Sequence, residues 1–328
     1  MTIREPNIER KSELKPKIVN GRFCLFGSVG RGYYTERYRA TDLQDEDRQV
    51  SLKHYLMVPH FTEIGATIFK WHVENSMAID PHPNIIPNLL VFGGGEEQRD
   101  IFVIQEHIEG VPATTWVNNA GSPKQAVDRL IHVLEGICNA LTAAEQRREL
   151  QYCLKPGDVL IENGSDVVKV GDIGVYADHL SYMSISSHCS SYCSNPVPIV
   201  TDYWDIRMET SISPSARNCV YALGILAYEI VTGLPPFGGR TLSTLEKHLH
   251  EPIPPLVDRA KFPLPDWLLD VINKCLEKDP ALRFKDASCV SSALAEGRQS
   301  DVQPTLANRI LKGVGKLFGS KDKSDAND

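Results

Sequence analysis

Two aspartates near the middle of the chain, with a lysine close to the first of them, have a spacing that suits a metal ion. Lys155 and Asp158 stand at a turn between apolar runs, and Asp172 follows Asp158 by 14 positions. The apolar runs predict a strand–turn–strand unit that presents Lys155 and Asp158 on one side. Carboxylate oxygens are preferred ligands of Mg²⁺, and this spacing can bring the two aspartates to one such ion.

A second candidate is a lysine in a short apolar strand. Because strand side chains alternate, Ser51 and Lys53 are expected on one face, and Val50 and Leu52 on the other. Taken alone, the pattern is more typical of a solvated strand lysine.

The elements that would position these residues fall into two blocks. Strand-like runs and one helix, Glu63–Ala78, come first; the strand-like runs are Arg22–Gly27, Arg37–Thr41, Gln49–Tyr55, Leu89–Phe92 and Ile101–Glu106. Helical periodicity dominates after Gly110; the helices are expected at 123–141, Asn218–Thr232 and Asp266–Lys278. Strands followed by helices in separate blocks predict a small sheet-rich lobe and a larger helical lobe.

The composition limits the class of protein. The 328 residues include 35 basic and 42 acidic side chains, for a net charge of −7, which argues against general nucleic-acid binding. No apolar run is long enough for a membrane-spanning helix, and the polar N-terminus lacks the pattern of a signal peptide. The eight scattered cysteines are typical of free thiols in a reducing compartment, so a cytoplasmic location is expected.

The region around Lys155 resembles a known family. Leu154–Ile161 and Val168–Gly174 are similar to the catalytic loop and the metal-binding Asp-Phe-Gly element of bacterial eukaryotic-like (Hanks-type) serine/threonine protein kinases. The resemblance implies that Asp158, in place of the family's asparagine, and Asp172 bind Mg²⁺. Later matches extend it over residues 20–298; they are Val220–Gly224, Tyr228–Glu229, Thr232–Phe237 and Cys275–Phe284.

The resemblance also implies a nucleotide-binding role for residues of the first block. Gly30 and Gly32 would belong to the loop that covers the phosphates of ATP, and Lys53 would pair with the α- and β-phosphates. Glu74, eight residues before His82, would be the helix partner of Lys53, although this interval is one residue shorter than the family's.

The hinge and the architecture follow from the same likeness. Gln105 would be the gatekeeper, and the backbone of Glu106 and Ile108 would contact adenine.

The implied fold is α+β, a bilobal protein-kinase-like fold with a small five-stranded antiparallel sheet lobe and a larger helical lobe. The expected regions are a polar arm (1–19), an N-lobe (20–107), a C-lobe (108–298) and a linker with a basic amphipathic tail (299–328).

Several positions depart from the family's pattern. The aspartate that orients and deprotonates the substrate hydroxyl falls on Cys153, and no catalytic residue is expected to replace it, although Lys155 is retained. The third glycine of the phosphate loop is Thr35, and the buried aspartate that braces the catalytic loop is Cys219. No Ala-Pro-Glu motif is present, so Arg207 or Glu209 takes the place of its glutamate.

Two further segments carry hypotheses of their own. Residues 175–215 predict a flexible loop whose serines could be phosphorylated; a metal site at His188, Cys189 and Cys193 is the weaker alternative. Residues 304–320 form a short basic amphipathic pattern that suits a membrane surface, a partner's groove or the chain's own domain.

Together these features predict a pseudokinase that binds ATP and Mg²⁺ weakly or not at all and acts as a regulatory or scaffolding module for a protein partner. The tail would place it at the periphery of a membrane or in an assembly. The alternative is an active atypical serine/threonine kinase in which Asp158 or a residue of the 175–215 segment replaces the base. A third hypothesis makes the pocket a site for another ligand, with Cys153 arranged within it.

Overall fold

The computed structural model describes residues 17–31, 35–55, 63–93, 100–146, 154–173, 216–238 and 247–302. Within these ranges the chain divides into two units: the first comprises residues 17–77 and 87–108, and the second 78–86 and 109–302. Predictions for Gly32, Cys153, the 175–215 segment and the tail from residue 304 lie outside the described residues. In the part that is described, no helix combines the length and apolar character needed to cross a bilayer.

The first unit is an antiparallel sheet with one helix. Its strands are β1 (Lys17–Val19), β2 (Phe23–Arg31), β3 (Thr35–Asp42), β4 (Arg48–Tyr55), β5 (Asn88–Gly93) and β6 (Ile101–Glu106), in the spatial order β1-β2-β3-β4-β6-β5. The helix α1 spans Glu63–Ser76. The strands and the helix expected from the sequence are therefore confirmed, with shifts of a few residues at their ends.

The strand count is a correction. The sequence predicted five strands and a polar arm up to residue 19, but Lys17–Val19 pairs antiparallel with β2 as a sixth, edge strand. Val19 is buried in the apolar core of the sheet, which explains why a segment with so few apolar residues joins it. A short strand ending in one anchoring side chain leaves little local pattern in the sequence.

The two faces of β4 differ as the alternation predicted. Val50 and Leu52 are buried in a core cluster that also contains Phe23 and Phe102. Lys53 lies on the opposite face, where its Nζ is 5.8 Å from the centroid of the Tyr55 ring. The face that carries Lys53 is therefore fixed by burial of its neighbours.

The second unit is mainly helical. Its helices are α2 (Ala113–Asn118), α3 (Pro123–Gln146), α4 (Ala216–Thr232), α5 (Asp266–Cys275) and α6 (Ala287–Val302). A small antiparallel sheet accompanies them, in the order β7 (Gly110–Pro112), β8 (Val159–Glu162) and β9 (Val168–Val170). The α+β class, with a sheet-rich and a helical unit, is confirmed.

The core of the second unit forms around α3 and α4. The Ser122 hydroxyl accepts a hydrogen bond from the Gln125 N–H at 3.2 Å, which caps the start of α3. Nearly all of α4 is buried, as its apolar character on every side predicted. Gly136 of α3 lies so close to β9 that an added Cβ would be 2.4 Å from Val168, so this glycine permits close packing of the helix on the hairpin.

Candidate functional site

The two candidate metal ligands meet at the open end of the β8–β9 hairpin. Asp158 ends a 3₁₀ turn, Pro156–Asp158, immediately before β8, and Asp172 follows two residues after β9. Val159 pairs with Val170, and the Gly171 N–H donates to the Asp158 carbonyl at 2.7 Å. Backbone pairing alone therefore brings the two predicted aspartates to one place.

Asp158 is held by its own turn. Its carboxylate Oδ2 accepts a hydrogen bond from the Lys155 N–H at 3.2 Å, and its own N–H donates to the Lys155 carbonyl at 3.0 Å. The Asp158 residue is only 5% exposed. These bonds fix the Asp158 carboxylate relative to the backbone of Lys155.

Asp172 has an unusual backbone. Its φ angle is +60°, in the left-handed region, and the residue is 8% exposed. Non-glycine residues in this region are uncommon and cluster at functional sites, where the surrounding structure holds them. A buried carboxylate in a constrained backbone next to a second buried carboxylate fits a divalent cation with oxygen ligands.

Residues 84–86, for which the sequence predicted no role in the site, fix the outer edge of the hairpin. The Val170 N–H donates to the Asn84 carbonyl and the Ile86 N–H donates to the Val170 carbonyl, both at 2.8 Å. The Asn84 side-chain amide donates to the Val168 carbonyl, also at 2.8 Å. Asn84 thus positions Asp172 indirectly, by holding β9. The signal in the sequence that could have identified Asn84 is a polar residue within the apolar Pro83–Pro87 segment.

The metal site would have few protein ligands. In the stretches that the structure describes, no group of three or more His, Cys, Asp or Glu side chains is suitably placed for a metal ion. Mg²⁺ commonly takes one or two carboxylates and completes its shell with water and substrate phosphates. Asp158 and Asp172 therefore fit Mg²⁺ that arrives with a phosphate ligand, and the residues fit this ion better than they fit zinc.

Lys53 of the first unit is almost buried, with 8% of its surface exposed. It lies directly opposite Arg37 on β3 and Val103 on β6. An ammonium group in this position loses most of its hydration, which favours an anionic ligand. The interpretation of Lys53 as a solvated strand lysine is therefore wrong.

Glu74 does not meet Lys53. Glu74 is exposed on α1, whereas Val73, one residue earlier, is completely buried. Successive helical residues are rotated by about 100° from one another, so a one-residue difference moves a side chain away from the sheet. Glu74 lies one residue closer to His82 than the family's glutamate does, and its side chain is exposed. The expected ion pair between Glu74 and Lys53 is therefore wrong.

A buried chain of hydrogen bonds links the predicted gatekeeper to α1. The Gln105 amide donates to Asn88 Oδ1 at 2.8 Å, and the Asn88 amide donates to Ser76 Oγ at 2.7 Å. The Ser76 hydroxyl donates to the Val73 carbonyl at 2.6 Å. This relay, Gln105–Asn88–Ser76–Val73, ties the last turn of α1 to strands β5 and β6. No local pattern in the sequence connects Asn88 with Ser76, so their contact was not predicted.

The hinge residues lie at the end of β6. The Glu106 N–H donates to the Pro87 carbonyl at 3.2 Å, so this donor is not available to a ligand. Ile108 is buried, and between the two the His107 ring places Nδ1 3.2 Å from the Ser51 hydroxyl. Ser51 and Lys53 share a face of β4, so His107 orients a hydroxyl on the face that carries the candidate phosphate lysine.

Arg283 is buried in the second unit, where its guanidinium donates hydrogen bonds to backbone carbonyls. Its guanidinium donates to the carbonyls of Glu277 at 2.6 Å, Arg217 at 3.1 Å and Lys278 at 3.2 Å. It also lies 4.4 Å from the centroid of the Tyr221 ring. The glutamate substitutes named from the sequence lie outside the described residues, so their contact with Arg283 stays a prediction.

Residues 23–294 match the protein kinase domain. The chain belongs to the protein kinase domain family. The fold class and the resemblance stated from the motifs are thereby confirmed, because the matched range includes both the hairpin aspartates and Lys53.

Curated relatives of this kinase-family chain are bacterial serine/threonine kinases. It is 26% identical over 311 residues to the probable serine/threonine-protein kinase PknB of Lactococcus lactis, covering 94% of this chain and 46% of that protein. It is 26% identical over 325 residues to the serine/threonine-protein kinase PrkC of Bacillus subtilis, covering 93% and 47%. The chain thus spans about half the length of these relatives.

A solved structure shows the same fold at low identity. The PknI kinase domain of Mycobacterium tuberculosis matches with a TM-score of 0.60 and 19% identity, covering 86% of this chain and 99% of that domain. At this identity the likeness concerns the fold alone. Function has to be argued from the residues of this kinase-family chain.

Proposed function

We propose that this chain is a pseudokinase, a kinase-fold regulatory or scaffolding module that binds Mg-ATP weakly and acts through a protein partner. The observation that carries the proposal is Cys153 at the base position, while Lys53, Lys155 and Asp172 are retained. An ordinary thiol, with a pKa of about 8.5, is mostly protonated at pH 7 and does not orient a hydroxyl as a carboxylate does. A positioned general base typically contributes ~10²–10⁴-fold in rate.

The geometry of α1 supports weak nucleotide binding. Glu74 is exposed and Val73 is buried, so this part of the helix does not supply the carboxylate that the resemblance implied for Lys53. Asp158 and Asp172, both nearly buried at one end of the hairpin, support retention of Mg²⁺ binding.

A phosphotransfer assay tests the loss of chemistry. Purified full chain with radiolabelled Mg-ATP and a generic protein substrate is expected to show no transfer. Cys153→Asp should raise any residual rate by ~10²-fold or more, and Cys153→Ser, with a neutral hydroxyl, should not. Wild-type transfer at an ordinary kinase rate, abolished by Asp172→Ala, would refute the pseudokinase proposal.

A thermal-shift titration tests the nucleotide site separately. Mg-ATP should raise the melting temperature of the wild type, and Lys53→Ala should lose that shift, because ligand binding to the folded state stabilises it. Lys124→Ala removes an exposed lysine of α3 and serves as the matched control. Absence of any shift at millimolar Mg-ATP would remove nucleotide binding from the proposal.

The second candidate is an active atypical serine/threonine kinase. It is favoured by the names of the curated relatives and by the constrained backbone of Asp172 beside Asp158. In this alternative Asp158 or a residue of the 175–215 segment supplies the base. Asp158→Asn retains an oxygen ligand but removes the base, so transfer that survives this change excludes Asp158 from that role.

The proposed partner contact involves the tail. Residues 304–320 contain apolar positions at helical spacing with Arg309, Lys312 and Lys316 around them. Such a segment binds an anionic membrane surface or the groove of a partner protein. The proposal therefore includes recruitment of the kinase-like domain through this segment.

A further inference from the structure

The sheet of the first unit carries a hydrogen-bonded polar pair on the same face as Lys53. The Ser51 hydroxyl lies 3.2 Å from Nδ1 of His107. Strand side chains alternate, so Ser51 and Lys53 project from the same face of β4, about 7 Å apart along the strand. Val50 pairs with Glu106, so the Ser51 end of this row lies beside the hinge residues. The row therefore has a cation at one end and a hydrogen-bonded hydroxyl at the end nearest the hinge.

The residue opposite Ser51 is already engaged elsewhere. Gln105 of β6 is the cross-strand partner of Ser51, and its amide donates to Asn88 Oδ1 at 2.8 Å. Among the residues that the structure describes, His107 is the hydrogen-bonding partner of the Ser51 hydroxyl. Whichever of the two groups donates, the contact satisfies the hydroxyl within the protein.

The exposure of the pair decides when this contact matters. Ser51 and His107 are both half-buried, so solvent reaches them in the ligand-free protein. A ligand that covers this part of the face removes that solvent. A covered hydroxyl without a partner costs free energy, whereas a hydroxyl that is bonded within the protein is covered without that cost. His107 therefore prepares the Ser51 end of the row for a ligand that lies flat on it.

The two ends of the row indicate the kind of ligand. A flat ring with little need of a side-chain partner suits a face whose hydroxyl is already hydrogen-bonded. The ammonium of Lys53 suits a phosphate group. A nucleotide combines both features, because a sugar separates its planar base from its phosphates.

We propose that His107 is a positioning residue for the base of a nucleotide and acts through the Ser51 hydroxyl, while Lys53 binds the phosphates. The inference rests on the proposed function for the role of Lys53. It deepens that function, because the motif resemblance assigns no role to Ser51 or to the side chain of His107. The recognised chemistry is a planar nucleobase, which adenosine presents without phosphates and which inorganic tripolyphosphate lacks.

Isothermal titration calorimetry of the full chain with adenosine, Mg-ATP and magnesium tripolyphosphate tests the inference. His107→Phe keeps a planar ring but removes the nitrogen, so adenosine and Mg-ATP should bind about tenfold more weakly. The affinity for tripolyphosphate should change less than twofold, since this ligand has no ring to cover Ser51. Lys53→Ala should instead weaken tripolyphosphate and Mg-ATP more than adenosine.

A double-mutant cycle separates this role from general support of the fold. Ser51→Ala removes the hydroxyl that His107 satisfies, so in this background His107→Phe should weaken adenosine binding less than twofold. His107→Asn, whose amide can bond the hydroxyl, should recover part of the affinity. A purely structural role of the ring would give the same loss in both backgrounds and no recovery by asparagine.

His54→Phe is the matched control. His54 lies on the opposite face of β4, where its ring stacks on Phe102 with the centroids 4.5 Å apart and its Nε2 is 2.9 Å from Asp100 Oδ2. The same substitution there should change the affinity for each ligand less than twofold.

The ligand-free melting temperature separates lost binding from lost folding. His107→Phe should melt within a few degrees of the wild type, because water can replace the nitrogen as partner of the half-buried hydroxyl. If His107→Phe proves unstable, His107→Asn in the wild-type and Ser51→Ala backgrounds carries the cycle. If adenosine binds too weakly to measure, the contrast between Mg-ATP and tripolyphosphate gives the result.

Each outcome decides between the two proposals. Unchanged Mg-ATP and adenosine binding in His107→Phe, an equal loss of tripolyphosphate binding, or an equal loss in His54→Phe overturns the inference and leaves the nucleotide site standing. Wild type that binds tripolyphosphate alone also overturns the inference, and wild type that binds none of the three at millimolar concentration refutes both proposals. His107-dependent binding of the base in a protein that transfers phosphate at an ordinary rate supports the inference and refutes the pseudokinase proposal.

Discussion

At the scale of single residues, two carboxylates near the start of α6 have opposite pKa shifts. The Ser288 hydroxyl donates to Asp286 at 2.7 Å and, with the Cys289 N–H at 2.9 Å, holds the pKa of Asp286 below its usual value. Burial, and then the charge of Asp286, raises the pKa of Glu145 at the end of α3. Ionisation of Glu145 is therefore disfavoured in the folded state.

Glu145→Gln is expected to stabilise the protein at pH 7. The raised pKa means that the folded state disfavours the carboxylate, and the neutral amide removes this cost while its oxygen still accepts from the Ala287 N–H. The gain should reach up to about 1 kcal/mol, since Glu145 is only partly buried. Urea denaturation as a function of pH measures it.

The sign of the pH dependence checks the cause. The advantage of Gln over Glu should be complete above the raised pKa of Glu145 and disappear as the pH falls below its ordinary value of 4.5, where the acid is neutral in both states. Glu135→Gln on the same helix breaks the 3.3 Å ion pair with Arg298 and should give no gain. A Glu145→Gln advantage that persists at pH 3 would contradict the electrostatic explanation.

At the scale of elements, hydrogen bonds between residues far apart in the sequence hold the end of α1 to the sheet. The resemblance had implied an ion pair between Glu74 of α1 and Lys53 of the sheet. The relay Gln105–Asn88–Ser76–Val73 holds the end of α1 to the sheet by three bonds of 2.6–2.8 Å. On the other unit, the backbone bonds of Asn84 and Ile86 hold β9 and hence the turn that carries Asp172. The relay therefore positions Gln105, and the bonds to β9 position Asp172, in each case through a neighbouring element.

Asn88→Ala is expected to destabilise the protein by about 1–3 kcal/mol, because the buried polar groups of Gln105 and Ser76 lose their partner. Chemical denaturation of the variant measures this loss. Asn118→Ala, at an exposed residue of α2 whose amide donates to the Thr114 carbonyl at 2.8 Å and to the Ile230 carbonyl at 3.2 Å, should cost less because the Asn118 side chain is not buried. Equal losses of unfolding free energy in the two variants would show that burial of the relay adds nothing to its contribution to stability.

At the scale of the whole molecule, the proposed recruitment depends on residues 304–320, whose sequence has a basic amphipathic pattern. The net charge of the protein is −7, so attraction to an anionic membrane has to come from a local group such as Arg309, Lys312 and Lys316. A surface of this kind acts within about 10 Å at 0.1 M salt. Recruitment through the tail should therefore weaken as salt rises.

Removal of residues 304–328 tests this part of the proposal. Co-sedimentation with vesicles that contain anionic lipid is expected for the full chain and not for the truncated one, and binding should fall in 0.5 M salt. Melting temperature and Mg-ATP binding should stay unchanged in the truncated protein. Equal sedimentation of both chains would exclude a lipid-binding tail, and a large fall in melting temperature would indicate that the segment packs on its own domain.

The sequence by itself determined the family, the two blocks of elements and the meeting of Asp158 with Asp172. These depend on local periodicity and on short loops: a hairpin that starts at Val159 and returns at Val170 has little freedom to place its ends elsewhere. The face of Lys53 also followed from alternation with Val50 and Leu52.

Only the tertiary structure decided the sixth strand, the exposure of Glu74 and the placing of Arg37 opposite Lys53. A one-residue change in helix rotation or strand register reverses which side chain faces the core, and the contacts that select the register come from residues far away in the chain. The relay shows the same dependence, since its members are 17 and 12 positions apart. Long-range packing, which leaves no local pattern, therefore decides which polar groups accompany the residues that the motifs identify.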